Sequence, residues 1–67
     1  MKTLEKYLFK RYKDYVIKSL RLKSQGYWYV VIEFESILNK FFDYDFSHVN
    51  NHYMVKKNEK IIYEYNV

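Results

Sequence analysis

His48 and His52 stand four residues apart. On a helix they would share a face, and two imidazoles so spaced can ligate zinc, with Asp43 or Asp45 as a third ligand. No Glu follows His48 directly, so the metalloprotease pattern is missing. Two polar surface histidines are the commoner meaning of such a pair. Acids also pair, as Glu33-x-Glu35 and Asp43-x-Asp45. Pairs of this kind hold Mg²⁺ in nucleases. His48 or His52 with Lys40 would then supply general acid–base chemistry. Neither pair has a nuclease signature around it, and 67 residues leave little room for a substrate cleft. A single Gly rules out a glycine-rich phosphate loop, and the lack of Cys removes thiol nucleophiles, disulfides and thiolate metal sites. The expectation is a protein that binds rather than catalyses, with no cofactor and no metal.

Binding chemistry is better represented. Twelve Lys and Arg against eight acids give a net charge of +4, which favours polyanionic partners. The charge is uneven. Residues 1–23 hold eight bases and two acids, residues 24–52 one base and four acids, and residues 53–67 three bases and two acids. Nine Tyr, five Phe and one Trp exceed what so small a core can hide. Some Tyr should therefore be exposed, where an amphipathic ring serves an interface.

The elements that must position these groups start with a helix over residues 3–21. Leu4, Leu8, Phe9, Tyr12, Tyr15, Val16, Ser19 and Leu20 fall on one side at helical spacing, and Lys6, Lys10, Lys13, Asp14, Lys18 and Arg21 on the other. Ser24-Gln25-Gly26 breaks it. Residues 27–34 are β-branched and aromatic and predict a strand, with Trp28, Val30, Ile32 and Phe34 inward and Tyr27 and Tyr29 outward. Ile37, Leu38, Phe41 and Phe42 suit a short helix capped by Ser36. Phe46, Val49 and Tyr53 suit a second short helix, with a loop or irregular strand over 43–53 as the alternative. Residues 54–57 and 60–65 flank Asn58-Glu59 as a hairpin, with Ile61, Tyr63 and Tyr65 on one face.

The predicted fold class is α+β, one compact domain over residues 1–67, in the order α-β-α-α-β-β. The alternative is α-β-α-β-β with a three-stranded antiparallel sheet. The first order resembles winged helix-turn-helix domains. In that resemblance Leu38 and Phe42 point inward, Tyr44 fills the turn, and Asp43 stands where such motifs usually carry Gly. Ser47, His48, Asn50 and Asn51 would lie near the start of a recognition helix, where they would meet base edges. Lys56, Lys57 and Lys60 would flank the wing tip and meet phosphate.

The first functional expectation is a small basic DNA-binding module, a regulator or accessory factor of a phage or plasmid. Its contacts to duplex DNA would be Lys10, Lys13, Lys56, Lys57 and Lys60 on phosphates and Ser47, His48, Asn50 and Asn51 on bases. The second is a protein-binding inhibitor or adaptor of a mobile element, presenting Tyr27, Tyr29 and the basic helix to a nucleic-acid-handling host protein or a defence system. A composition rich in Lys, Asn, Ile, Phe and Tyr, with no Pro, fits an AT-rich coding sequence and such a source. No apolar run approaches the ~20 residues that span a bilayer, and no secretory pattern opens the chain. A cytoplasmic setting without a membrane partner is expected. The thin core makes a homodimer a further expectation.

Overall fold

The computed structural model describes residues 2–67. Helix α1 spans Lys2–Arg21, a 3-10 turn covers Lys23–Gln25, and helix α2 spans Tyr27–Phe42. Three strands follow: β1 Asp45–Val49, β2 His52–Lys57 and β3 Lys60–Asn66. They form one antiparallel sheet in the order β1-β2-β3. The fold is α+β with a three-stranded antiparallel sheet. Its order, however, is α-α-β-β-β, which neither expected order matches. The chain divides into two compact units, Met1–Phe34 and Glu35–Val67, and α2 contributes to both.

The first unit is a helical hairpin. Along α1 the predicted apolar face holds except at Leu4, which is exposed: Leu8, Tyr12, Val16 and Ser19 are buried, and Phe9, Tyr15 and Leu20 are half-buried. The chain reverses at Gly26, whose φ of 84° lies in the left-handed region and whose N–H donates to the Lys23 carbonyl at 3.2 Å. A side chain there would be strained whatever space it found. Residues 27–34 of α2 then pack on α1. The Ser19 hydroxyl donates to the Tyr27 carbonyl at 2.6 Å. The Phe34 ring meets Tyr15 edge-on at 5.2 Å and stacks on Tyr12 at 6.4 Å.

Residues 27–34 are thus helical, not a strand. Helix propensities of the β-branched and aromatic types trail Ala by only a few tenths of a kcal/mol each. Full burial of one such side chain is worth about 1.5–3 kcal/mol. Packing therefore outweighs local preference. The inward set changes accordingly. Val31 is fully buried, while Val30 and Ile32, predicted inward, are 40% and 46% exposed. Ser36 caps nothing, because it lies inside α2 on the exposed side.

The second unit sets the last turns of α2 with the sheet. Leu38, Tyr44, Tyr53 and Val55 are its buried residues. Asp43 ends α2 in the left-handed region, at φ 57°, so it does occupy a position that favours Gly. Tyr44 is buried, stacked with Phe42 at 6.3 Å and edge-on to Phe46 at 6.4 Å.

Residues 43–53 form no helix. Val49 pairs with His52 across the sheet, and Asn50 and Asn51 between them have φ of 49° and 67°. Two left-handed residues joining antiparallel strands make a type I′ turn, whose twist matches that of the strands. Asn tolerates that conformation best after Gly. Asn58 and Glu59, at 55° and 65°, repeat the device between Lys57 and Lys60. The second hairpin was therefore legible, but its predicted face was not. A bulge at Val55/Lys56 shifts the register, so Tyr65 and Tyr63 sit opposite Tyr53 and Val55 while Ile61 sits opposite Lys56. A bulge flips the alternation, which separates Ile61 from the two tyrosines.

Candidate functional site

The residues expected to read bases do not come together on a helix. Ser47 is exposed on β1 and shares a sheet face with Met54, its cross-strand neighbour. His48 lies on the opposite face beside Tyr53, with ring centroids 5.3 Å apart, and its Nδ1 is 3.9 Å from a Glu35 carboxylate oxygen. Asn50 and Asn51 are the turn itself, and their type is explained by backbone geometry. The recognition-helix placement of these four residues is corrected: the alternation around Asn-Asn is that of a hairpin.

The metal and acid–base pairings also separate. His48 and His52 lie on opposite faces of the sheet, because His48 pairs with Tyr53 and Val49 pairs with His52. His52 Nε2 is instead 3.0 Å from a Glu64 carboxylate oxygen. Glu33 and Glu35 are two apart on a helix and point to different sides, Glu33 exposed and Glu35 half-buried near His48. Asp45 accepts a hydrogen bond from the Asn39 amide at 3.2 Å, away from the role of a paired acid. Among the described residues, no three of these side chains form a group suited to a metal ion.

The wing lysines meet varied surroundings. Lys60 is exposed beside the turn. Lys57 faces Lys60 across the ladder and lies over the Tyr44 ring at 5.2 Å. Lys56 faces Asp45 on one side and Ile61 on the other. An acid directly opposite offsets its charge.

Helix α1 holds the denser positive surface. Lys6, Lys10, Arg11, Lys18 and Arg21 are exposed, with Asp14 the exposed acid among them. Tyr7, Arg11, Asp14, Lys18 and Arg21 recur at alternating steps of four and three, which makes one straight row along the helix. Lys13 is half-buried at its flank. Arg11, not singled out by the sequence, is the best-held cation. Its guanidinium lies over the Tyr7 ring at 5.7 Å and the Tyr15 ring at 5.3 Å, and Nη1 donates to the Tyr7 hydroxyl at 3.1 Å. Hydrogen bonding to Tyr15 and the charges of Tyr15 and Tyr7 raise its pKa above the ordinary arginine value. The signal was the Tyr-x₃-Arg-x₃-Tyr spacing, which places three stacking groups on one row. Lys18 similarly lies over the Tyr27 ring at 5.2 Å.

That contact helps explain the fate of the two candidate interface tyrosines. Tyr27 is half-buried under Lys18, whereas Tyr29 is 72% exposed. Two positions apart on a strand they would share a face, but on a helix they are turned about 200° from each other. Only Tyr29 is freely presented. Among the described residues, no helix is long and apolar enough to cross a membrane. No protein-family model, curated protein or solved structure matches this chain.

Proposed function

We propose that this protein binds nucleic acid through its phosphate backbone, without reading sequence, and that the exposed row of α1 makes the contact. Duplex DNA is the substrate class, and an accessory role on it the simplest use. The observation that carries the reading is Arg11, held between Tyr7 and Tyr15 and flanked on the same helix surface by Lys10, Lys18 and Arg21. A guanidinium already stacked and hydrogen-bonded loses little freedom on meeting a phosphate. Neighbouring cations displace condensed counterions, and that release drives non-specific binding. No base-reading element accompanies the row. Ser47, His48, Asn50 and Asn51 are placed by strand and turn geometry, so winged-helix readout forms no part of the proposal.

The test is duplex binding by fluorescence anisotropy across a salt series. Four phosphate contacts predict a log–log slope of about −3 to −4 and a Kd near 10⁻⁵ M, on the order expected of non-specific binders at physiological salt. Replacing Arg11 by Ala should reduce the slope by about one and weaken all duplexes equally. Replacing Asn51 by Gly should leave sequence preference unchanged. A Kd weaker than ~10⁻⁴ M even at low salt removes the reading. The protein-inhibitor reading loses its paired tyrosines and retains Tyr29 alone.

A further inference from the structure

The tip of the second hairpin sets two like charges side by side. Lys57 and Lys60 are direct partners in the β2–β3 ladder and flank the Asn58-Glu59 turn. Direct cross-strand partners project to the same face with β carbons about 5 Å apart, and like charges so placed repel. The same sheet shows the favourable alternative one step away, where Asp45 faces Lys56. Among the described residues, neither Lys57 nor Lys60 forms an ion pair, and Glu59, in the turn between them, pairs with neither. Lys57 is also held in place. It is half-buried, and its ammonium lies 5.2 Å from the centroid of the Tyr44 ring, which is itself buried. Such a cation–π contact fixes one charge. Lys60 is exposed and can close on a ligand beside it.

A ligand with two negative charges removes the repulsion. Each ammonium offers three donors and binds phosphate as a point charge, whereas a planar carboxylate is matched better by the fork of Arg. A carboxylate or an internal phosphodiester brings one charge. A phosphate monoester brings nearly two at neutral pH. We infer that Lys57 and Lys60 form a site for a dianionic phosphate group, either inorganic phosphate or the terminal monoester of a nucleic acid. The site lies wholly within the second unit. It does not rest on the α1 reading, whose contacts are to internal phosphates.

Amide shifts in two-dimensional NMR spectra test it, followed as inorganic phosphate is titrated into phosphate-free buffer. The amides of residues 57–60 are expected to shift saturably, with half-saturation at roughly 1–10 mM. Sodium chloride at equal ionic strength should not reproduce the shifts. Lys60→Gln should weaken saturation at least about tenfold, with cross-strand contacts confirming that the hairpin is intact, and Lys60→Arg should retain it. Without phosphate, Lys60→Gln should melt above the wild type, because the repulsion is gone; a lysine that merely supports the fold would give the reverse. A second arm separates the two sources. A short duplex bearing 5′-phosphates that moves residues 57–60 more than its dephosphorylated twin assigns the site to strand ends, and a response to inorganic phosphate alone assigns it to the free anion. Shifts that chloride reproduces, no saturation up to about 100 mM phosphate, or a Lys60→Gln variant that melts below the wild type without phosphate overturn the inference.

Discussion

Helices α1 and α2 have comparable lengths and opposite legibility. Helix α1 carries nine charged residues in 20, and those from Glu5 to Arg21 stay off its buried side. Polar residues mark the period, so the helix and its inward face could both be read. Helix α2 has three charged residues in 16 and apolar ones all the way round. Its buried side, from Val31 to Leu38, is flanked by exposed Val30, Ile32, Ile37 and Phe41. With apolar residues on every side, a 3.6-residue period and a two-residue period look alike over eight positions. A helix apolar on its outer side also has something to cover, whereas a helix basic on its outer side has something to neutralise.

The sharpest way to break this comparison is to truncate α2 on its two sides. Leu38→Ala, on the buried side, should cost about 2–5 kcal/mol in urea denaturation. Ile32→Ala, on an exposed side, should change stability by less than about 0.5 kcal/mol. Equal losses would mean that α2 has no distinct inner face. A smaller effect tests the join between the helices. Ser19→Ala removes the donor to the Tyr27 carbonyl, a part-buried hydrogen bond, and should cost about 1 kcal/mol. Indifference to this change would show that packing alone holds the hairpin.

Relief of local strain should be smaller and of opposite sign. Glu59 is held at φ 65°, a conformation unfavourable for an ordinary side chain. Glu59→Gly should stabilise the protein by about 0.5–1 kcal/mol, the strain relieved exceeding the entropy of a freer chain. A thermal midpoint that falls instead would argue against the type I′ turn. The gentlest probe is pH. Burial first, then the Glu35 carboxylate and Tyr65, raise the pKa of the Tyr53 phenol. The folded state therefore holds this proton more tightly than the unfolded chain. Its contribution is complete below the unfolded value of about 10 and is lost as pH rises through the higher folded value. Denaturation midpoints should fall with pH above about 10 in the wild type, and less steeply in Tyr53→Phe.

The hairpins show a third kind of signal. Asn58-Glu59 was recognised because Lys residues and β-branched residues bracket it. Asn50-Asn51 has the same geometry, yet Phe46, Val49 and Tyr53 also fit a helical spacing, and the two patterns compete over the same eight residues. Two adjacent Asn residues tolerate positive φ, and that preference is the signal that separates the hairpin from the helix. Among the candidate site residues, the exposed cations of α1 were legible because charge and period agreed. Arg11 was missed because its value lies in the two rings that stack on it.

The sequence by itself determined that this is a small α+β chain with a basic amphipathic first helix, a Gly-marked reversal and a polar-turned final hairpin. Each of those rests on residues whose chemistry constrains the backbone locally: charges on one side of a period, a Gly able to take positive φ, Asn at a tight turn. Tertiary structure alone decided that residues 27–42 form one helix and that β1 joins the sheet. Those segments are apolar or mixed in pattern, their intrinsic preferences differ by fractions of a kcal/mol per residue, and burying Val31, Leu38, Tyr53 and Val55 supplies several times more.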